Sequence, residues 1–451
     1  MLAPRERQVA LALVGALATA AGCTLSVTGT LPVAEPPPPV EAGVPDALLP
    51  SPGDAAAAPD APPSTAGAVV LADVGGVDAP TGYAQQTHLV YAVNAQRWWL
   101  FTFDDAAPDA IRTRSSVDFV TWQAGPEIPL PHPHGKHGGF LSVAYADVGA
   151  VDVVHVAAEF YLGTVDQRHY HARVTLSGAA LAYGAFELVS RVGDALMPAA
   201  PIGPVALVTP AGGVVDGTGY SPYFGNPATT ANMNAYSAST TELGTSWTPG
   251  FGPREDVGSV PFTVHTRALA ALGGSDVLAV WESADGEPKP TNLRWARRTN
   301  GVWGGGVTAL PASATLFGAN DWSLARLGDA DVHVVRRAGD DYVHRRYDGA
   351  AFVDGQVLSK APASDDAGLV LLHDGVSRVM AVTLGPAPDH KVIACTWSAA
   401  PAPSWGPWRE LVSAPAERSF VSGYASGGRA AVIWTERDAA GSKVVGRTVS
   451  F

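Results

Sequence analysis

Three histidines crowd one short stretch, Pro131-His132-Pro133-His134-Gly135-Lys136-His137-Gly138-Gly139. Imidazole binds transition metals and moves protons near neutral pH, so the stretch is the first place to look for chemistry. His132 and His134 read as part of a solvent-exposed, Pro-rich turn. His137 stands just ahead of an apolar strand and is the one placed to act as acid or base. Glu159, in Ala158-Glu159-Phe160, falls at the end of the strand after that one. His155, His169 and His171 follow in the same unit. His169 and His171 share one strand face by the period-two rule, and a structural role is expected for them rather than a metal site.

A second cluster is Gly219-Tyr220-Ser221-Pro222-Tyr223-Phe224-Gly225-Asn226-Pro227, read as a long loop. Tyr220, Tyr223 and Phe224 offer rings for stacking on sugar C–H faces, and Asn226 can bond hydroxyls; long loops on compact scaffolds often carry such work. A third comprises His265 and Arg267 in Phe262-Thr263-Val264-His265-Thr266-Arg267, with Asp321 and Trp322 after Asn320. The candidate catalytic set is therefore His137, Glu159, Tyr223, His265 and Arg267. The candidate ligand-binding set is Tyr220, Tyr223, Phe224, Asn226, Asp321 and Trp322. No phosphate loop, Gly-x-Ser-x-Gly elbow, His-Glu-x-x-His or Cys-based zinc pattern occurs, so no cofactor and no metal is expected.

These residues need a scaffold, and the composition says which. The chain has 451 residues, is 47% apolar and only 16% charged, and carries 49 Gly and 37 Pro. That balance fits a turn-dense all-β protein. The net charge of -13 argues against nucleic acid or an anionic membrane face as partner. Residues 1–22 read as a secretory leader: Arg5 and Arg7, then an apolar run from Val9 to Ala21 too short to span a bilayer. From 23 to 68 the chain is Pro- and Ala-rich, with no Lys or Arg between Arg7 and Arg97, and reads as a disordered tether. Only Cys23 and Cys395 are present, and Cys395 sits in an apolar run where a buried hydrophobic role is expected.

Residues 69–451 repeat in rhythm: an apolar strand, a turn, a second strand, a third rich in Arg, Tyr or His, and often a Trp. Starts recur at roughly 45 to 65 residues, the signature of a β-propeller. The fold expected is all-β, a single propeller most simply of seven four-stranded blades. Six or eight are the alternatives, because the unit from Ile202 to Trp247 is irregular. The last unit stops after three strands, so Val69-Val70-Leu71-Ala72-Asp73 is expected to supply its fourth and close the ring.

Two family resemblances rest on these residues. Ala20-Ala21-Gly22-Cys23 resembles the lipobox of bacterial lipoproteins, which implies lipidation of Cys23. Thr24 in place of Asp then implies the outer membrane, with the membrane touched only through the anchor. Thr240-Thr241-Glu242-Leu243-Gly244-Thr245-Ser246-Trp247 and Ser116-Val117-Asp118-Phe119-Val120-Thr121-Trp122 resemble the Asp-box of sialidase-like propellers. There an acid caps turn amides, a glycine takes positive φ, and the Trp packs between blades. The second copy is one residue short and lacks the glycine. True sialidases clamp the substrate carboxylate with three arginines, the first in Arg-Ile-Pro, and no Arg-Ile-Pro occurs here. The reading is thus an exported, surface-tethered propeller that recognises a glycan, lectin-like or substrate-capturing. The alternatives are a sialidase-like glycoside hydrolase or a polysaccharide lyase at the central channel, and a non-catalytic scaffold for another envelope protein.

Overall fold

Strands with one residue in two facing inward bury both faces only if sheets stack against each other, and here they stack in a ring. In the computed structural model the chain divides at 60/61, and every described residue belongs to the unit 61–451. The structure describes residues 67–82, 85–135, 140–163, 166–191, 200–210, 214–221, 233–240, 255–260, 263–284, 291–304, 308–309, 322–338, 341–358, 368–386, 388, 390–399 and 403–451. The leader, Cys23 and nearly all of the tether lie outside them. Among these residues there is no helix, and the strands fall into seven antiparallel sheets.

Blade one is Leu89–Ala92, Arg97–Thr102 and Ala110–Ser116, with Gln123–Ala124 and Ile128–Pro129 sharing its outer edge. Blade two is Leu141–Val148, Val151–Gly163 and Asp166–Ser177, edged by Ala180–Tyr183 and Glu187–Arg191. Blade three is Ala200–Val208, Val214–Ser221, Met233–Thr240 and Glu255–Val260, a regular sheet where the sequence looked irregular. Blade four is Thr263–Ala271, Val277–Ala284 and Thr291–Thr299, edged by Val302–Trp303 and Thr308–Ala309. Blade five is Trp322–Gly328, Asp331–Ala338, Asp341–Tyr347 and Phe352–Leu358. Blade six is Leu369–His373, Arg378–Leu384 and Val392–Ser398, edged by Ser404–Trp405 and Arg409–Val412. Blade seven is Arg418–Ser426, Arg429–Asp438 and Gly441–Thr448, and its fourth strand is Val69–Gly75.

The first strands line the axis, each touching the next, and blade seven's touches blade one's. Closure is by main-chain pairing, as expected: Val69 faces Gly446 and Gly75 faces Ser442. Gly441, at φ 136°, is required there, since a Cβ would stand 2.6 Å from the Gly75 carbonyl oxygen. Leu71 and Val74 go inward, to 1% exposure.

Small polar devices join the wedges. Near the start of the first strands, buried serines bridge neighbours: Ser323 Oγ accepts from Leu371 N at 3.0 Å, and Ser422 Oγ donates to the Gln86 carbonyl at 2.8 Å. Each of three second strands opens on an Asp-Val pair whose acid ties down a turn. Asp152 accepts from Ala95 N (2.7 Å) and Tyr145 Oη (2.6 Å), Asp276 from Arg297 (2.7 Å), and Asp331 from both nitrogens of Arg346 (2.7 and 2.9 Å). The arginines at 297 and 346 thus pair with these acids. Asp348 caps a turn, accepting from Ala350 N and Ala351 N at 2.9 Å each.

The turn at Ser116–Trp122 is tied by its acid. Asp118 accepts from Thr121 N (2.7 Å), Val120 N (2.8 Å) and Ser116 Oγ (2.9 Å), and those bonds bring its carboxyl down to about 2. Phe119 takes the positive φ, 64°, that the missing glycine would have taken. Of the second copy, only Thr240 lies among the described residues. Cys395 is buried, and burial pushes its thiol well up, so it is the inert hydrophobe expected.

Leu71→Ala should destabilise the ring by about 2–5 kcal/mol, the usual cost of emptying a buried leucine site. Val70→Ala, whose side chain is 54% exposed, should cost under about 0.5 kcal/mol. Urea unfolding of the two variants checks whether the first strand carries closure.

Candidate ligand site on the loop face of blade two

Blade two stands higher than its neighbours. Its second and third strands run for 13 and 12 residues, while its first begins at Leu141, opposite Ala158. Glu159–Gly163 and the facing Asp166–His169 therefore project past the start of the innermost strand, on the face where loops enter the blades. Period-two alternation splits the pair of strands. Val154, Val156, Ala158, Phe160 and Tyr170 join the core shared with blade one. His155, Ala157 and Glu159 lie opposite Arg173, His171 and His169 on the other face, toward blade three.

That second face carries a buried polar ladder. His155, His169 and His171 are 0% exposed, Glu159 1% and Arg173 6%. His155 Nδ1 lies 3.0 Å from His171 Nε2, with the rings stacked at 5.2 Å. Burial, and then the Arg173 charge, brings His155 down to about 3. Burial, then His155 and His169, holds His171 well below the ordinary imidazole value. Blade five repeats the device in the same register. His333 faces Arg346 as His155 faces Arg173, and His333 Nδ1 lies 2.8 Å from His344 Nε2. A pair that recurs in two blades is a packing solution. The structural role expected for His171 holds.

The first face is different, and nothing equivalent to it occurs among the described residues of the other blades. His132 is half-buried, and its Nε2 lies 3.0 Å from Tyr170 Oη and 3.3 Å from Arg168 Nη1. Guanidinium only donates, so Nε2 holds the lone pair and Nδ1 carries the proton. Phe160 meets the imidazole edge to face at 5.7 Å. His134 is buried, stacked flat on Phe103 at 4.3 Å, with Nδ1 2.7 Å from the Gly135 carbonyl and its main-chain N donating to Pro108 O at 2.8 Å. The expectation that both belong to an exposed turn is corrected: Phe103 and Tyr170 supply the surfaces that bury them. Guanidinium, phenol and imidazole thus converge at one spot. They can clamp an anionic group and donate to hydroxyls, and the phenol can exchange a proton with the imidazole.

The remaining expectations scatter. Glu159 belongs to the buried ladder, directly opposite His169, and not to an open pocket. Tyr220 is in a strand rather than a loop, opposite Asn234 and Pro201. His265 and Arg267 are in blade four's first strand, Arg267 opposite Trp281, with side chains outside the described set. His137, Tyr223, Phe224, Asn226 and Asp321 lie outside the described residues. Trp322 fills the core between blades four and five at 0% exposure, and only its carbonyl reaches inward, accepting from Gln85 Nε2 at 2.5 Å. Arg168 and Tyr170 were missed. The alternation that puts His169 and His171 on one face puts them together on the other.

The axis holds a channel of about 290 Å³, kept open by small residues such as Ala144, Ala268, Ala270 and Ala325. Gln85, Gln86 and Thr87 reach into it from the segment before blade one. Its described lining contains no Asp or Glu. Among the described residues no group of three or more His, Cys, Asp or Glu is arranged to hold a metal.

No protein-family profile and no curated protein sequence matches the chain. Solved structures do. An ulvan lyase, a polysaccharide lyase bound to a glucuronate-(1-4)-rhamnose-3-sulfate unit, superposes with TM-score 0.50 at 11% identity, covering 85% of this chain and 96% of that one. The Trypanosoma rangeli sialidase in complex with sialic acid gives TM-score 0.41 at 9% identity, over 73% and 55%. The Aleuria aurantia lectin in complex with Fucα1-6GlcNAc gives 0.41 at 12%, over 69% and 91%. At such identities the likeness to the lyase shows the propeller fold alone.

The buried histidines set a pH limit. His88 is brought down to about 4 and His344 to about 3, chiefly by burial, as His155 is. Unfolded, each titrates near 6.5, so their contribution is whole above that pH and is lost as pH falls from 6.5 toward 4 and 3. Each should cost about 2 kcal/mol at pH 5. Thermal melts at pH 7.5 and 5 should show a marked drop, and equal Tm values would contradict neutral burial.

Proposed function

We propose that this propeller recognises carbohydrate through the loop face of blade two, with an acidic glycan as the ligand. One observation carries the reading: the unrepeated cluster of His132, Arg168 and Tyr170 beside the projecting strand ends. Arg168 supplies a cation that suits a carboxylate or sulfate within a molecule of net charge -13. His132 and the Tyr170 hydroxyl add polar groups beside it. The ulvan lyase, a propeller by the same fold, holds an acidic sugar unit, which agrees with this choice. A single cluster fits one principal site rather than a multivalent lectin.

The same cluster favours a second reading, eliminative cleavage. A phenol bonded to a neutral imidazole is a competent base, and a neighbouring guanidinium can neutralise a uronate carboxylate. Incubation of the protein with uronate-bearing, sulfated, sialylated and neutral glycans separates the readings. Acidic glycans should bind, weakening with salt, and Arg168→Ala should lower affinity roughly ten- to a hundredfold, the loss of a charge-assisted hydrogen bond. Unsaturated product that vanishes in Tyr170→Phe would make the protein a lyase. Binding indifferent to Arg168, or absent throughout, would sink the site.

The leader pattern and Cys23 support placement in a bacterial envelope, on the outer membrane, held by lipid through the 23–68 tether. Cys23→Ala should abolish incorporation of labelled palmitate and release the protein to the soluble fraction. Retention of label would contradict the anchor.

A further inference from the structure

The rim between blades five and six carries a cleft unrelated to the blade-two cluster. It measures about 420 Å³ and is lined by Gln356, Val357, Ser404, Trp405 and Gly406. Val357 is 64% exposed, Ser404 is exposed, and Trp405 and Gln356 are partly so, which leaves an open wall of indole, isopropyl and hydroxyl. None of the five is charged.

What lies under that wall is unusual. Gln356 Nε2 donates to the Pro403 carbonyl at 2.9 Å, which fixes the amide, and its Oε1 is buried with no hydrogen-bond partner. Trp405 Nε1 is buried and unpartnered too. Both residues stand over His344, which is opposite Gln356 in the sheet and 5.4 Å from the Trp405 ring, edge on. One donor, Trp405 Nε1, and one acceptor, Gln356 Oε1, are thus unmet at one cleft, and such groups are costly to leave so.

We infer that this cleft is a second ligand site, for a neutral hydroxylated ring such as a hexopyranose of an uncharged glycan. A hydroxyl is the group that both accepts, from Trp405 Nε1–H, and donates, to Gln356 Oε1. A carboxylate or sulfate can only accept, and an ammonium can only donate. The open indole face and Val357 suit the C–H face of a sugar ring, and stacking there brings its hydroxyls to the indole edge. The absence of charge in the lining separates this ligand class from the acidic one proposed for blade two.

The full chain, with its Trp indole groups labelled with nitrogen-15, is titrated with cellotriose, maltotriose and laminaritriose. Loss of one indole N–H signal in Trp405→Phe assigns Trp405. That signal should move with at least one of the trisaccharides. Affinity should fall about tenfold in Trp405→Phe and in Gln356→Leu, one hydrogen bond each. Val357→Ser, on the exposed wall where folding is not at stake, should weaken binding as well. Arg168→Ala should leave it unchanged, which keeps this test independent of the blade-two reading. A Trp405 signal unmoved by all three sugars, affinities equal in all variants, or a shift with acidic sugars alone would overturn the inference.

Discussion

A ring of sheets has no stable partial form, because any gap leaves two sheet edges and two apolar faces open to water. In this protein the gap is filled by residues 69–75, which pair with Gly441–Thr448 at the other end of the sequence. The pairing buries Leu71 and Val74, removes the last free edge of blade seven, and draws the following segment across the axis. From there Thr81 reaches the Phe420 carbonyl and Thr435, and Gln85 reaches the Trp322 carbonyl, so one stretch of chain touches blades seven and five before blade one begins. Everything on the loop face is placed relative to that clasp.

Within the ring, the wedges are held by apolar stacking between blades and fixed in register by short polar bonds. The serines near the first-strand starts and the acids at the second-strand starts do different jobs. Ser323 and Ser422 join neighbouring inner strands near the loop face. Asp152, Asp276 and Asp331 lock turns on the opposite face, each accepting from the turn or the arginine beside it. The paired histidines of blades two and five fill the middle layer as stacked, hydrogen-bonded rings. His155, His171 and His344, held well below the ordinary imidazole value by burial, are a liability in acid.

Much of the architecture was legible in the sequence, since it rests on period and length. Alternating strands, recurring starts, the short last unit and the spare first strand all follow from burying one face in two. The acid-capped turn at Ser116–Trp122 was legible from spacing, with Phe119 taking the left-handed conformation there. Blade three was hard to read because Gly and Thr stand in its strands, and pairing with neighbours overrides such weak preferences. The site was harder. Trp322 looked like a mouth residue by its position, and its ring went to the core because the volume between blades four and five needs a large apolar group. His132 looked exposed in a Pro-rich run, and only the fold shows that blade two's tall strands rise beside it. The Arg168–Tyr170 pair was within reach of the same alternation rule that flagged His169 and His171, but only the fold brings His132 to that face.

The account's central claim is that ligand meets the protein at the projecting edge of blade two. Hydrogen–deuterium exchange with and without a sulfated, uronate-bearing polysaccharide addresses it directly. The account predicts added protection confined to peptides covering residues 128–135 and 160–172, with the serine-bridged first strands unchanged. Protection elsewhere on the ring with these two segments unaffected would contradict it.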